Sequence, residues 1–191
     1  MELVFIRHGQ GEHTLDTPES LQIPDPSLTE RGKEQARALQ DDFTLTEDDL
    51  IVVSPVRRTL QTADIWSRPF PCKKVVHPLV SPRMFPQKEG APTLPCDRML
   101  DRETIQSDFP AFQIAEPVPE SLWNEGINTM EEESFRRWAE EWLKWCEAQH
   151  PDRLYVVSHD GTITSYRQYM SGKSLTRNDF PKETSWFKQP W

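Results

Sequence analysis

Four short apolar runs occur along the chain and predict buried strands. They cover residues 2–7, 51–54, 73–77 and 154–158, and the run at 73–77 is the weakest of the four. Their apolar residues are contiguous rather than alternating, which is typical of parallel strands buried on both faces. The pattern therefore predicts a mostly parallel sheet that is covered on both sides.

Segments with a helical repeat of apolar residues lie between these runs. A first helix is predicted after Thr29, a candidate N-cap, and others over residues 57–66, 131–149 and 162–170, the last ending at Gly172. The segment 131–149 carries its apolar residues on one stripe, which we interpret as a core face. The stripe residues are Phe135, Trp138, Trp142, Trp145 and Cys146.

Proline is concentrated in the middle of the chain. Ten of the 17 prolines fall between Pro69 and Pro119, where apolar runs are few. We therefore expect an irregular excursion from the sheet over about residues 78–125, of the kind that often forms a lid or a binding loop. A chain of 191 residues has the size of one domain, so the excursion is predicted to belong to a single domain spanning 1–191.

Composition and charge narrow the range of partners. With 22 basic and 31 acidic residues the net charge is −9, which disfavours nonspecific binding to nucleic acid. The longest aliphatic runs have four residues, so no membrane-spanning helix is expected, and no signal peptide is visible. Three widely spaced cysteines without a Cys-x-x-Cys pair favour reduced thiols and a cytoplasmic location.

Charged side chains and histidines follow three of the predicted strands. The first strand ends at Arg7 and His8, the second is followed by Arg57 and Arg58, and the last by His159. Because ligands bind at the carboxyl ends of parallel strands, we expect two histidines and at least two arginines in one cleft. Arginine binds phosphate through planar, bidentate donors, and a neutral imidazole is a competent nucleophile whose pKa nearby arginines would lower. The set predicts phosphoryl transfer to a side chain.

Four sequence motifs occur in the order and form of a known family. They are Arg-His-Gly-Gln at 7–10, Ser-Leu-Thr-Glu-Arg-Gly-Lys-Glu-Gln-Ala at 27–36, Ser-Pro-Val-Arg-Arg-Thr-Leu-Gln-Thr-Ala at 54–63 and Ser-His-Asp-Gly at 158–161. With them the chain resembles the short phosphatase branch of the histidine phosphatase superfamily, also called phosphoglycerate mutase-like. The resemblance implies a three-layer α/β/α sandwich with a mostly parallel central sheet. It also implies a reaction through a phosphohistidine that needs no metal and no other cofactor.

The same resemblance assigns roles to individual residues. His8 resembles the phosphate-accepting nucleophile, and His159 resembles the second histidine of the phosphate pocket. Arg7 and Arg58 resemble the two arginines that clamp the phosphate. Arg58 matches rather than Arg57, because the family arginine lies four residues after the serine of the Ser-Pro pair.

Three further residues near the first motif are predicted to bind substrate. Gly9 lets the backbone approach the anion where a side chain would block it. Gln10 stands where the commoner family residue is Glu, and Thr14 where many members have an asparagine that touches the phosphate. The hydroxyl of Thr14 is expected to donate to the phosphate in its place.

The proton donor of the short branch has no counterpart at its expected position. That branch carries a Glu after the third strand, in a pattern such as Leu-Phe-Glu, whereas this chain has Met-Phe-Pro ending at Pro86. Asp160 is the first alternative, since it follows the second histidine as it does in the acid-phosphatase branch. Glu89 and Asp97, which lie on the Pro-rich excursion, are the other two.

These observations together predict an enzyme, a metal-independent phosphatase that hydrolyses a small phosphomonoester. Two rivals within enzymes are a phosphotransferase of the phosphoglycerate mutase type, although such mutases are usually longer, and a sugar bisphosphatase. A rival from another class is a catalytically weak module that binds phosphate or a phosphoprotein, because the clamp is present while the usual acid is missing. Turnover of a generic phosphomonoester separates the enzymes from the module.

Overall fold

A six-stranded sheet forms the centre of the molecule in the computed structural model, which describes residues 2–189. The strands are β1 (Glu2–Arg7), β2 (Leu50–Val53), β3 (Lys73–Val76), β4 (Gln113–Ile114), β5 (Arg153–Ser158) and β6 (Trp186–Gln189). Their order is β4-β3-β2-β5-β1-β6, and every pair is parallel except β1 with β6. The carboxyl ends of β1, β2 and β5 therefore meet at one edge, with Arg7 opposite Ser158 and Val53 opposite Val157.

Helices cover both faces of this sheet. They are α1 (Glu30–Asp42), α2 (Arg57–Ser67), α3 (Arg102–Asp108), α4 (Glu120–Glu125), α5 (Glu132–Ala148) and α6 (Asp160–Ser171). Alternate residues of each strand point to opposite faces, so Leu3 of β1 joins one hydrophobic cluster and Val4 the other. The first cluster includes α5 and α6, and the second includes α1 and α2. The predicted three-layer α/β/α sandwich is confirmed.

The main helices begin and end close to their predicted positions. Thr29 caps α1, its side chain accepting a hydrogen bond from the amide of Gly32. Gly172 ends α6 in the left-handed conformation, with φ of 66°. The stripe of α5 is a core face as predicted: Phe135 and Trp142 are buried, and the less buried tryptophans pack against the same cluster. Among residues 2–189, none of the helices combines the length and apolar character needed to cross a bilayer.

The Pro-rich excursion is more regular than its composition predicts. It contains α3 and α4, and Ile105 of α3 is fully buried in the core. The expectation that the excursion stays off the sheet is wrong at β4, which pairs with β3 through Val75 and Gln113. A two-residue strand is too short to contain an apolar run. Its pairing is set by the tertiary structure, which brings the chain alongside β3, and not by its own sequence.

Candidate active site

A cavity of about 320 Å³ lies at the carboxyl ends of β1 and β5. Its lining residues come from both halves of the chain. They are Arg7, His8, His13, Thr14, Leu21, Arg58, Pro82, Arg83, Leu94, Cys96, Asp97, His159, Asp160, Arg177 and Phe180. The structure thus brings together both histidines predicted from the strand ends and two of the three arginines, Arg7 and Arg58.

The His8 ring is held in a defined tautomer. Its Nδ1 lies 2.7 Å from the carbonyl oxygen of Gly9. A carbonyl can only accept, so Nδ1 carries the proton and Nε2 keeps a lone pair. Arg58 donates to that Nε2 from its Nε, at 3.2 Å. Burial, followed by the charges of Arg58 and Arg7, lowers the pKa of His8 well below its ordinary value, so the ring is neutral.

The His159 ring lies beside His8, with 5.2 Å between the ring centroids. That separation is short enough for both imidazoles to reach one phosphoryl group. Arg58 donates from Nη2 to the Nδ1 of His159 at 3.2 Å, so Nε2 carries the proton and donates to Ser54 Oγ at 2.8 Å. Burial and the charge of Arg58 lower the pKa of His159 well below its ordinary value.

Arg58 is fully buried in the first turn of α2, and each of its three side-chain nitrogens donates a hydrogen bond. Besides the two histidines it contacts the carbonyl of Cys96 through Nη1, at 2.6 Å, and Asp97 Oδ1 through Nη2, at 2.9 Å. Its neighbour Arg57 is paired with Asp25 and Asp108 and does not line the cavity. The structure therefore places Arg58, and not Arg57, at the predicted position of the clamp.

Arg7 is anchored by the C-terminal part of the chain. Its Nη1 donates to the carbonyl of Pro181 at 2.8 Å, and its Nη2 lies 3.0 Å from Asp160 Oδ2. Its Nε is buried and has no hydrogen-bond partner within residues 2–189. Arg7 thus retains an unused donor at the end of β1, beside the cavity.

The three candidate acids occupy different surroundings. Asp160 pairs with Arg7 and also accepts from the amide of Gly161, at 2.7 Å. Asp97 pairs with Arg58, and burial raises the pKa of its carboxyl despite the attraction of that arginine. Glu89 is exposed and does not line the cavity. The structure brings Asp97 and Asp160 to the site and leaves Glu89 outside it.

Gly9 and Gln10 do not line the cavity, and their contacts are structural. A Cβ at Gly9 would lie 2.5 Å from the carbonyl oxygen of Gly32, so glycine is required there by packing against α1. Gln10 accepts a hydrogen bond from the Thr29 hydroxyl, which joins it to the N-cap of α1. Thr14 does line the cavity, but its hydroxyl donates to the carbonyl of Gly11 at 2.9 Å.

His13 is a cavity residue that the strand-end argument does not select. It lies in a 3-10 turn at Glu12–Thr14, is buried, and its ring centroid is 5.5 Å from that of His8. Burial and the charges of Arg58 and Arg7 lower the pKa of His13 to about 3. The turn begins five residues after the end of β1, so His13 is not predicted from the residues at the strand ends.

Neutral imidazoles and buried arginines around one cavity define an α/β protein with an anion-binding site at its strand ends. The model of the histidine phosphatase superfamily (branch 1) matches residues 3–183. The chain belongs to that superfamily. In the part of the chain that the structure describes, no three or more His, Cys, Asp or Glu side chains are arranged to hold a metal ion.

Known proteins are similar to this chain in sequence and in fold. A probable phosphatase of Schizosaccharomyces pombe is 40% identical over 65 residues, which is 33% of this chain and 30% of that protein. Three solved structures share the fold: an alpha-ribazole phosphatase from Shigella flexneri (22% identity, TM-score 0.58), a mycobacterial glucosyl-3-phosphoglycerate phosphatase (18%, 0.61) and a phosphoserine phosphatase from Entamoeba histolytica (20%, 0.61). Each alignment covers 98% of this chain and 89%, 91% and 89% of those chains.

Proposed function

We propose that the protein is a metal-independent phosphatase that hydrolyses a small phosphomonoester through a phosphohistidine on His8. One observation carries the proposal. The hydrogen bond between His8 Nδ1 and the Gly9 carbonyl leaves Nε2 with its lone pair, next to Arg58 in the cavity. A neutral imidazole held in this tautomer can attack phosphorus without first losing a proton.

The reaction consists of two displacements. In the first, His8 Nε2 forms a bond to phosphorus while the bond to the leaving oxygen breaks, and an acid protonates that oxygen. In the second, water attacks phosphorus, the same carboxylate takes the proton of the water, and the N–P bond breaks to release inorganic phosphate. Arg7 and Arg58 bind the phosphoryl oxygens in both steps, where charge develops.

Asp97 supplies the proton in this proposal, in preference to Asp160. Both carboxylate oxygens of Asp160 are already engaged, Oδ2 in the ion pair with Arg7 and Oδ1 as acceptor of the Gly161 amide. Burial already raises the pKa of Asp97, and the carboxylate loses its ion pair when a phosphate takes over Arg58. Losing that pair raises the pKa of Asp97 further, so substrate binding itself favours the protonated acid. Glu89 lies outside the cavity, which changes the order of preference expected from the sequence.

The test of the nucleophile is a matched pair of histidine substitutions. We expect the wild-type protein to take a phosphate label that is stable in base and labile in acid, with chelator present, and to release inorganic phosphate. His8→Asn should abolish both label and turnover. His150→Asn is the control, since His150 is exposed and its positive φ of 51° suits asparagine.

Three results would contradict the proposal. Undiminished turnover by the His8→Asn variant would exclude His8 as the nucleophile. A rate that disappears with chelator and returns with magnesium or zinc would exclude a metal-independent reaction. A wild-type protein that binds phosphate but never releases it from an ester would favour a binding module.

A further inference from the structure

We propose that His13 is a third imidazole that contacts the phosphoryl group, donating a hydrogen bond to one of its oxygens. The inference rests on the proposed function and adds a binding residue to it. His13 lines the same cavity as His8 and His159 and is only 7% exposed. Its distance from His8, 5.5 Å between ring centroids, is close to the 5.2 Å that separates His8 from His159.

The turn that carries His13 is built around its ring. A Cβ at Gly11 would lie 2.6 Å from Nδ1 and 2.7 Å from Cε1 of His13, so only glycine leaves room for the imidazole. The backbone is fixed by Ser20, whose hydroxyl donates to the His13 carbonyl at 2.7 Å. Gly11 thus accommodates the ring, and Ser20 fixes the backbone that carries it.

The imidazole is held there without a hydrogen-bond partner for its Nδ1. Within residues 2–189 this buried nitrogen has none. Unsatisfied buried polar groups are rare and call for an explanation. Nδ1 lies against Gly11, so a ligand in the cavity would meet the ring through its other nitrogen, Nε2, and an Nδ1 without a proton leaves Nε2 as the donor.

The position relative to His8 decides which part of the substrate His13 faces. In an in-line displacement the leaving oxygen lies on the far side of phosphorus from the attacking nitrogen. His13 and His159 both lie beside His8, whereas the leaving oxygen lies beyond phosphorus, so both rings are nearer the phosphoryl oxygens than the leaving group. The hydroxyl of Thr14, the residue expected to donate here, is already bonded to the Gly11 carbonyl. His13 supplies that donor instead.

The charges around the ring make the pKa of His13 sensitive to a bound anion. Arg58 and Arg7 face it and oppose its protonation, and the rings of His8 and His159 lie in the same cavity. Asp97 and Asp160 are the acidic groups of the cavity lining. A bound dianion offsets the two arginine charges, so it raises the pKa of His13. By linkage, a protonated His13 strengthens binding of the anion by the same factor.

The first test measures binding of orthovanadate, which mimics the transferring phosphoryl group. His13→Phe keeps a ring of similar size beside Gly11 but removes the donor. We expect it to keep the melting temperature within a few degrees and to weaken vanadate binding about 10- to 100-fold, as for a lost hydrogen bond to a charged group. His13→Gln, which retains a donor, should recover part of the affinity. Leu15→Ala is the local control, since Leu15 is 62% exposed.

The second test reads the His13 ring directly by proton NMR, in the wild-type protein with and without vanadate. We expect the His13 ring signal, assigned by its loss in His13→Phe, not to titrate between pH 5 and 8 without vanadate and to titrate in that range with it. Vanadate binding by His13→Phe that equals wild type, or a ring signal that vanadate leaves unchanged, overturns the role of His13 while the phosphohistidine proposal stands. A wild-type protein that binds no vanadate and takes no phosphate label overturns both.

Discussion

The hydrogen bonds of Arg58 determine which contacts an anion must replace when it binds in the cavity. All three of its nitrogens donate to acceptors in the protein, and one of these acceptors is the carboxylate of Asp97. A phosphate that binds Arg58 must therefore replace one of these acceptors, and in the proposed reaction it replaces Asp97. The exchange avoids leaving a buried guanidinium without a partner, which is strongly unfavourable. In the proposed reaction the same exchange frees the carboxylate of Asp97 to act as the acid.

The acid is tested by amide substitutions in parallel. Proton donation to a poor alkoxide leaving group typically accelerates hydrolysis about 10²- to 10⁴-fold, whereas nitrophenolate needs little help. We expect Asp97→Asn to lose this factor on alkyl phosphates and to hydrolyse p-nitrophenyl phosphate at close to the wild-type rate. Steady-state kinetics on the two substrates measure the difference.

Two further amide variants determine how the result for Asp97→Asn is interpreted. Glu89→Gln should behave as wild type, because Glu89 lies outside the cavity. Asp160→Asn should reduce the rates on both substrates together, because it removes the partner of Arg7 rather than a proton donor. A loss confined to alkyl phosphates in Asp160→Asn, with Asp97→Asn unaffected, would move the acid to Asp160.

Residue-level prediction succeeds where backbone topology fixes the side chain. Arg7, His8 and His159 follow strands that end at one edge, so the strand-end rule places them together. The choice between Asp97 and Asp160 depends instead on where each carboxylate points and which arginine it meets. That information is not contained in local sequence. His13 is not predicted from the strand ends, because it lies in a turn beyond β1.

At the scale of elements, the N-cap of α1 joins the helix to the loop after His8. The Thr29 hydroxyl accepts from the Gly32 amide at 3.1 Å and donates to the Gln10 side chain at 2.8 Å. Thr29→Ala should therefore lower the free energy of unfolding by about 1 kcal/mol, the usual effect of removing a cap. Urea unfolding followed by circular dichroism measures it.

Thr29→Ser is the matched control, because serine keeps the hydroxyl and loses only the methyl group. We expect it to be nearly as stable as wild type. Equal destabilisation by serine and alanine would show that packing of the methyl group, and not the cap, stabilises the start of α1.

Elements differ in how well the sequence predicts them. β1, β2 and β5 are predicted because parallel strands buried on both faces need contiguous apolar residues. The two edge strands are not predicted. β4 has two residues, and β6 alternates exposed and half-buried positions beside a single neighbour, β1. Edge strands take their structure from the sheet that they join.

The whole molecule carries a pH dependence that comes from its buried histidines. His8, His13, His77 and His159 are all buried, and burial lowers the pKa of each, to about 3 for His13 and His77. The unfolded chain binds protons near its ordinary histidine pKa of about 6.5, while the folded protein does not. Stability is therefore full above that pH and falls as the pH drops below it, by about 1.4 kcal/mol per pH unit for each such histidine.

Urea unfolding between pH 8 and 5 tests this dependence. We expect a plateau at the alkaline end and a steep decline below about pH 6.5. His77→Asn removes one titrating imidazole, so the fall in the free energy of unfolding with pH should be shallower by the equivalent of about one proton. Asparagine is chosen because it also caps a helix and can accept from the Leu79 amide, as His77 does at 3.1 Å. A stability that stays level from pH 8 to 5 would mean that these histidines titrate normally in the folded protein.

The position of β1 in the sheet also determines when His8, the proposed nucleophile, joins the other site residues during folding. β1 carries His8 at its end, yet it pairs only with β5 and β6, and Glu2 lies opposite Arg153. The two ends of a segment of about 150 residues must therefore meet before β1 can form backbone hydrogen bonds with β5. By contrast, β2 and β3 are joined through α2 and can pair early. A half-folded chain with β2, β3 and α2 formed would hold Arg58 but not His8. The site of the proposed reaction is therefore completed only when β1 has joined β5.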